Sequence, residues 1–478
     1  MNKRNIWVHL GLAVLIVGIA AIAGQIRNWQ MEFADSSSVH RAKIKRVKTI
    51  AIKRSISDNK PEVLVKFKPK VSLQTIKKLI AGNNDRIEDE IESVNNLYAI
   101  DDLDNLDPKR VAAQYGEMTD LIAYAEPNYE IKLNDPVRRV SPKDKSLIKN
   151  KAPESGPNDP MFSEQWALNN VGQNGGKEKA HLDALKAWLK NKGSQDVVVA
   201  VLDTGVDYAH QDLVTNMWFR PDNIPAYKDN ELGIVDDKHG FNADNNLKDP
   251  MDKNGHGTHC AGVIGAEGNN KLGITGINWK VEIMPLKFLG SGGFGTTKNA
   301  IEAINYAIDR KKAGVNVRII SASWGSTQYS KALEDAIRAA GEQGILFVAA
   351  AGNSSTDNDK RPHYPSNYNL PNVISVAALD RNDNLASFSN FGAKTVHIAA
   401  PGKDILSTWL NDQYREASGT SMATPQVAGV AALIVASNPK IKVGELRKRL
   451  LSSVDKLDSL KGKVENSGRL NASKALSE

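Results

Sequence analysis

From residue 197 onward, short β-rich runs alternate with helix-length segments. Residues 197–202, 283–289, 317–322, 345–350, 373–377 and 396–399 are runs dominated by Val, Ile, Leu and Ala, short enough to be strands. Between and after them, residues 297–311, 331–343 and 421–437 have helical spacing and length. Parallel strands need a crossover, and helices supply it, so this alternation points to an α/β fold: a parallel sheet with helices on both faces. Sheets of this kind place their chemistry beyond the C-terminal ends of the strands.

The N-terminal third reads differently. Lys3 and Arg4 precede an apolar run over residues 6–23, and Ala21-Ile22-Ala23 offers small residues of the kind a signal peptidase cuts after. A cleaved export signal is the first reading of residues 1–24; a retained membrane anchor is the second. Residues 25–59 form a basic linker. Residues 60–133 read as strand (63–67), helix (73–80), strand (97–100), helix (108–115, opened by Pro108) and a closing extended stretch (121–129), a small α+β domain. Residues 134–157 hold four prolines and many charges, a second linker. A large domain spans residues 158–478. The net charge of +7 comes almost wholly from the first third, where residues 1–158 carry 26 Lys and Arg against 20 Asp and Glu. The rest carries 36 against 35, so the composition gives no reason to expect a nucleic-acid partner. One cysteine, Cys260, excludes an intramolecular disulfide.

Four segments carry chemistry. Asp203 ends the apolar run 197–202, where a buried strand emerges from the sheet. His256 lies in Asn254-Gly255-His256-Gly257-Thr258-His259-Cys260, with glycine on both sides, so that a substrate backbone can approach it. A zinc pair with His259 would need a further well-placed ligand, which the adjacent Cys260 does not supply; His259 reads more simply as a core residue. Ser421, in Gly419-Thr420-Ser421-Met422-Ala423-Thr424-Pro425, opens an apolar helix whose N-terminus favours negative charge nearby. Asn353, after the run 345–350, offers an amide donor that can act with the Ser421 N–H on an oxyanion. The chain order acid, base, serine over Asp203, His256 and Ser421 is that of the subtilisin arrangement and not of the other serine-hydrolase folds.

Residues 158–478 resemble the subtilisin-like (subtilase) family around all four positions. The resemblance implies a serine endopeptidase working through an acyl-enzyme, with Asp203, His256, Ser421 and Asn353 as its catalytic groups. It also implies two edges that grip an extended peptide, Gly293-Phe294-Gly295 and Ser323-Trp324-Gly325, and a primary pocket at Ala350-Ala351-Gly352. Some relatives have glycine where His363 stands, which bears on the pocket's depth. Gln426 stands where many relatives have histidine and implies a packing change. A structural Ca²⁺ site is implied at Asp159, Asp212 and Asn270, with the carbonyls of Leu272 and Ile274. The loop from Asp244 through Asp249 to Asp252 is a weaker second candidate. Residues 63–133, with Tyr124-Ala125-Glu126-Pro127-Asn128-Tyr129, resemble the subtilisin propeptide, a ferredoxin-like chaperone and inhibitor. The implied protein is a secreted or cell-envelope monomer acting on protein or peptide substrates, made as a self-processing zymogen with its own propeptide as inhibitor. It touches a membrane only through an uncleaved N-terminal segment. A tethered processing protease and a silent binding protein of the same fold are the alternatives.

Overall fold

The computed structural model describes residues 62–133, 156–244 and 249–477. The expected export segment and the basic linker lie outside the described residues, as does the second linker apart from residues 156 and 157.

The small domain contains β1 (Val63–Phe67), α1 (Leu73–Gly82), β2 (Asp85–Glu90), β3 (Leu97–Asp102), α2 (Pro108–Gly116) and β4 (Ile122–Pro127). Its four strands pair antiparallel in the order β2-β3-β1-β4. This is the ferredoxin-like βαββαβ pattern. One strand more is present than the sequence reading gave. β2 reads Asp-Arg-Ile-Glu-Asp-Glu, a run too charged to signal a strand, and it is held by backbone pairing to β3 across a bulge. Both helices begin on side-chain caps: Ser72 Oγ accepts from the Thr75 N–H at 3.2 Å, and Asp107 Oδ1 from the Lys109 N–H at 3.0 Å, with Pro108 in the first turn. The two helices and the inner sheet face close around Val63, Val65, Phe67, Ile80, Ile100 and Tyr115.

A short strand, β5 (Glu130–Lys132), leads out of this domain. The large domain follows with α3 (Ala184–Trp188), β6 (Gly193–Asp203), a hairpin of β7 (Lys228–Asp229) and β8 (Gly233–Ile234), β9 (Phe241–Asn242), α4 (His256–Gly265), β10 (Lys280–Lys287), β11 (Phe294–Thr296), α5 (Thr297–Lys312), β12 (Val317–Ala322) and α6 (Lys331–Glu342). The remainder is β13 (Leu346–Ala350), β14 (Val373–Leu379), β15 (Ile398–Pro401), a hairpin of β16 (Ile405–Trp409) and β17 (Gln413–Ala417), α7 (Thr420–Ser437), α8 (Val443–Ser452), β18 (Val454–Lys456), β19 (Gly468–Leu470) and α9 (Ala472–Ala475). The main sheet runs β18-β19-β15-β14-β13-β12-β6-β10-β9, parallel except for the β18–β19 pair.

Coverage on both faces shows in β6. Val197, Val199 and Val201 join the core built with α4 and α7, while Val198, Ala200 and Leu202 join the one built with α5 and α6. Asp203 continues the first parity and therefore emerges on the α4 side. α7 is apolar on every side because it is enclosed on every side.

The small domain rests on the start of α5 and α6, whose first N–H groups have no partner within their own helices. Asn128 Oδ1 accepts from the Lys298 N–H at 2.9 Å, and the Tyr129 carbonyl from the Thr297 N–H at 2.9 Å. Glu126 is buried over α6, accepting from the N–H groups of Lys331 at 2.8 Å and Ala332 at 3.2 Å and from Ser330 Oγ. Burial raises its pKa above the usual carboxylate range, against those hydrogen bonds. Glu126→Ala is expected to weaken the docking by about 1.5–3 kcal/mol, the range for hydrogen bonds to a charged group. Faster amide hydrogen exchange at Lys331 and Ala332 would report it.

Candidate active site

Asp203 and His256 meet where β6 ends and α4 begins. His256 Nδ1 lies 2.7 Å from Asp203 Oδ1, and both side chains are buried. The contact requires α4 to press against the strand end, and Gly257 allows it: a Cβ there would fall 2.0 Å from the Gly205 carbonyl and 3.2 Å from Asp203 Cβ. Gly255 has φ +105°, and a Cβ on it would strike the Trp409 ring at 2.4 Å. The glycines flanking His256 thus permit close packing inside the protein.

Asp252 holds the helix start. Its carboxylate accepts from the N–H groups of Asn254 (2.8 Å), Gly255 (3.1 Å) and Thr258 (3.1 Å) and from Thr258 Oγ1 (2.7 Å) and Thr204 Oγ1 (3.0 Å). Thr204 Oγ1 in turn accepts from the Gly257 N–H at 3.0 Å, which ties the residue after Asp203 to the residue after His256. Asp252 was expected as part of a second ion loop. Its oxygens are used on α4 instead, and residues 245–248 of that loop lie outside the described residues. The D-x-x-G-H spacing was the signal that would have assigned it.

Ser421 is the second residue of α7. Its hydroxyl donates to the Ser323 carbonyl at 2.9 Å, and Ser323 Oγ donates back to the Ser421 carbonyl at 2.8 Å. That carbonyl is open to an outside donor because Pro425, four residues on, has no N–H to give it. Cys260 Sγ also approaches it, at 3.6 Å, and stands 4.0 Å from Asp203 Oδ2. Cys260 is fully buried beside the pair, four residues after His256 on the same helix. His259 packs in the core, with Nε2 at 3.0 Å from the Ile405 carbonyl and 3.1 Å from that of Arg415.

Asn353 follows β13. Its Oδ1 accepts from the Thr420 N–H at 2.8 Å and Oγ1 at 3.0 Å, which fixes the amide with its NH₂ turned away from Thr420. Asn353 and Ser421 line one depression with Ser323, Gly325, Ala350 and Gly352. His363 lines it too, so close to Gly325 that a Cβ there would lie 2.1 Å from the imidazole. The pocket's wall is therefore partly a titratable ring. One expected pocket side chain lies elsewhere, while Trp324 lines the depression. Ala351, by strand alternation, packs in the opposite core with Ala377 and Val396. The Trp324 indole is buried under the pocket, donating to the Leu202 carbonyl at 2.9 Å and meeting Phe288 at 4.7 Å between centroids. Gln426 is buried with Oε1 unpartnered, beside a small cavity lined by Gln165, Thr275 and Leu406.

The chain's own β5 runs along one edge of this pocket. It pairs antiparallel with β11: Lys132 with Phe294, Ile131 with Gly295 and Glu130 with Thr296. Leu133 donates its N–H to the Gly293 carbonyl at 2.9 Å, and Lys132 and Leu133 line the pocket. Within the closing stretch expected over residues 121–129, Ile122–Pro127 pairs inside the small domain, and the residues from Glu130 reach the cleft.

Of the expected calcium ligands, Asp159, Asp212 and Asn270 come together. Asp159 accepts from the Asn269 and Asn270 N–H groups at 2.7 and 3.2 Å, and Asp212 from Asn270 Nδ2 at 2.8 Å, Ile274 N–H at 3.0 Å and Tyr414 OH at 3.2 Å. Leu272 donates its N–H to Asn270 Oδ1 at 2.8 Å. Burial, with Asp212 nearby, pushes Asp159 up to about 6, and burial raises Asp212 as well. Two buried carboxylates in an all-oxygen set suit a hard cation.

The fold is of the α/β class built on one parallel sheet, with Asp203 and His256 paired at the end of β6 and Ser421 at the start of α7. Comparison with known proteins narrows the class. The model for the subtilase family matches residues 194–470. The thermophilic serine proteinase of Bacillus sp. (strain AK1) is 32% identical over 427 residues, 87% of each chain. Thermitase of Thermoactinomyces vulgaris is 36% identical over 67% of this chain and 99% of its own. Subtilisin-like protease 2 of Plasmodium falciparum is 39% identical over 52% of this chain, a match that spans only 18% of that protein's length. A solved protease from Pseudoalteromonas arctica PAMC 21717 aligns with TM-score 0.55 and 29% identity over 68% of this chain and 99% of its own. The chain belongs to the subtilase family.

Asp252→Ala strips five hydrogen-bonded donors in a buried network. It is expected to destabilise the large domain by at least about 3 kcal/mol, read as a shift in denaturant midpoint.

Proposed function

We propose that this chain is a serine endopeptidase made as a self-processing precursor. Residues 60–133 act as a folded inhibitor between linkers 25–59 and 134–157, and residues 158–478 are the enzyme. The observation that carries the reading is β5: a segment of the chain itself lies on the β11 edge as an added strand, the way an extended peptide docks by main-chain hydrogen bonds. It leads into the pocket that Ser421 and Asn353 line.

In this mechanism Ser421 Oγ turns from the Ser323 carbonyl and attacks the scissile carbonyl of a bound strand. His256 accepts its proton and returns it to the leaving amine. Asp203 fixes the imidazole through Nδ1 and stabilises its charged form. The Asn353 amide and the Ser421 N–H hold the oxyanion. The same chemistry cuts the chain in the segment after Leu133. Gly293–Gly295 and Ser323–Gly325 grip the peptide on either side, and Ala350, Gly352 and His363 bound the primary pocket. Ile131, buried in the same cluster as Leu286, Phe288 and Leu289, marks a position where a branched aliphatic side chain is favoured. The N-terminal pattern supports export, with action outside the cytoplasm on protein or peptide substrates.

Asp159, Asp212 and Asn270, with the Leu272 and Ile274 carbonyls, would hold a structural Ca²⁺ that neutralises the two carboxylates and braces the loop.

Ser421→Ala is expected to leave the precursor uncut and remove hydrolysis; a precursor that still shortens, by mass, would refute self-processing. Asn353→Ala should lower kcat about 10²–10³-fold with little change in KM. Chelation should lower the melting temperature of the large domain, and an Asp212→Ala variant should respond less. At a hundredfold excess of ion over Kd the stabilisation is about 2.7 kcal/mol.

A further inference from the structure

Away from the active site, the joint between the two domains buries an excess of negative charge. Glu92 follows β2 in the small domain; Asp229 lies on β7 and Glu302 on α5 of the large one. One carboxylate oxygen from each lies within 4.8 Å of the other two. Asp89 and Glu231 are close by, and Lys298 is already engaged with both, at 3.1 and 2.5 Å. Glu302 is 4% exposed, and its Oε1 has no hydrogen-bond partner among the described residues. Its Oε2 accepts from Asn305 Nδ2 at 3.3 Å, and that amide also donates to Glu92 Oε2 at 3.2 Å. Ser93 Oγ donates to Asn305 Oδ1, so the amide is oriented from the small domain. The Asn230 N–H reaches Glu92 Oε1 at 3.1 Å.

An acidic cluster alone is no site, but a buried carboxylate oxygen without a partner is costly unless something positive meets it. We propose that Glu92, Asp229 and Glu302 together bind a Ca²⁺ ion that clamps the small domain onto the large one. Oxygens on opposite sides of Ca²⁺, each bonded at about 2.3–2.6 Å, stand about 4.6–5.2 Å apart, in keeping with the spacing here. The donors are all oxygen, as a hard cation requires. Glu92 is exposed and gives the ion an entry path with room for water ligands. Burial raises Asp229 and Glu302, the response expected of carboxylates placed together before their counter-charge is added. The site is separate from the Asp159–Asp212 set, and it exists only while the domains are joined, because Glu92 comes from the small domain and Asp229 and Glu302 from the large one.

The test uses the full chain carrying Ser421→Ala, with calcium counted by equilibrium dialysis. The parent is compared with the same chain carrying Glu302→Gln or Glu92→Gln. The expected result is one fewer bound ion per chain, or a Kd at least tenfold higher for one ion, in each variant. Calcium should also slow amide exchange at Asn230 in the parent and not in the variants. Equal counts and affinities in all three chains would overturn the proposal. So would a Glu302→Gln chain whose docked state is strengthened equally with and without calcium, since protons would then be neutralising the cluster. Should Glu302→Gln fail to fold, the exposed Glu92→Gln decides alone. Whether the parent stays uncut, read by mass on the same sample, bears only on the role of Ser421.

Discussion

The site depends on how closely one helix can be brought against the end of one strand. A buried carboxylate is tolerated only with donors in place. Asp203 has His256 Nδ1 and the Thr204 N–H at 2.7 Å each. The Thr204 N–H is local to the strand end, whereas His256 reaches Asp203 because α4 sits almost on the backbone after β6, a separation that any side chain at Gly257 would forbid. Asp252 and Thr204 then lock helix to strand from the side. Lys287, buried with its pKa lowered by burial, adds hydrogen bonds to the Thr204 and Leu289 carbonyls. The geometry of the pair is thus set by backbone approach and by groups that never touch a substrate.

The second organising feature is that α5 and α6 begin at the small domain. Each helix has a local cap, Thr296 with Asn299 for one and Ser330 for the other. Those caps leave other first-turn N–H groups over, and Asn128, Tyr129 and Glu126 take them. The two helices lie on one face of the sheet whose other face carries α4 and α7. Residues 62–133 therefore complete hydrogen bonding on the face opposite the helices that present His256 and Ser421.

Much of this was legible in the residues. Continuous apolar runs ending on Asp203 and on Ala350, and the small-residue run into α7, carry their positions openly, because local pattern and tertiary role agree there. Elements escaped where they diverge. β2 is a strand by pairing alone, since its charges hide the alternation. α4 has glycine at Gly257, Gly262 and Gly265, which reads as loop, yet it is helical because packing overrides propensity. Asp252 groups in sequence with the acidic loop before it, and its five donors give it a role at the start of α4 instead. Ala351 lies in the right segment but faces inward, a matter of one-residue parity that a motif does not resolve.

The small domain is fastened by two kinds of contact at different places. One is the strand in the cleft; the other is the set of helix caps and ion pairs around Glu126 and Asp335, away from any bond the enzyme would cut. Cutting the chain after Leu133 removes the covalent link and none of these contacts. What changes is the effective concentration, from the millimolar order set by a short tether to whatever the free fragment reaches in solution. On the proposed reading, latency therefore outlives the first cleavage. The enzyme emerges on a clock set by dilution or destruction of the fragment, so dense or confined surroundings keep it silent longest.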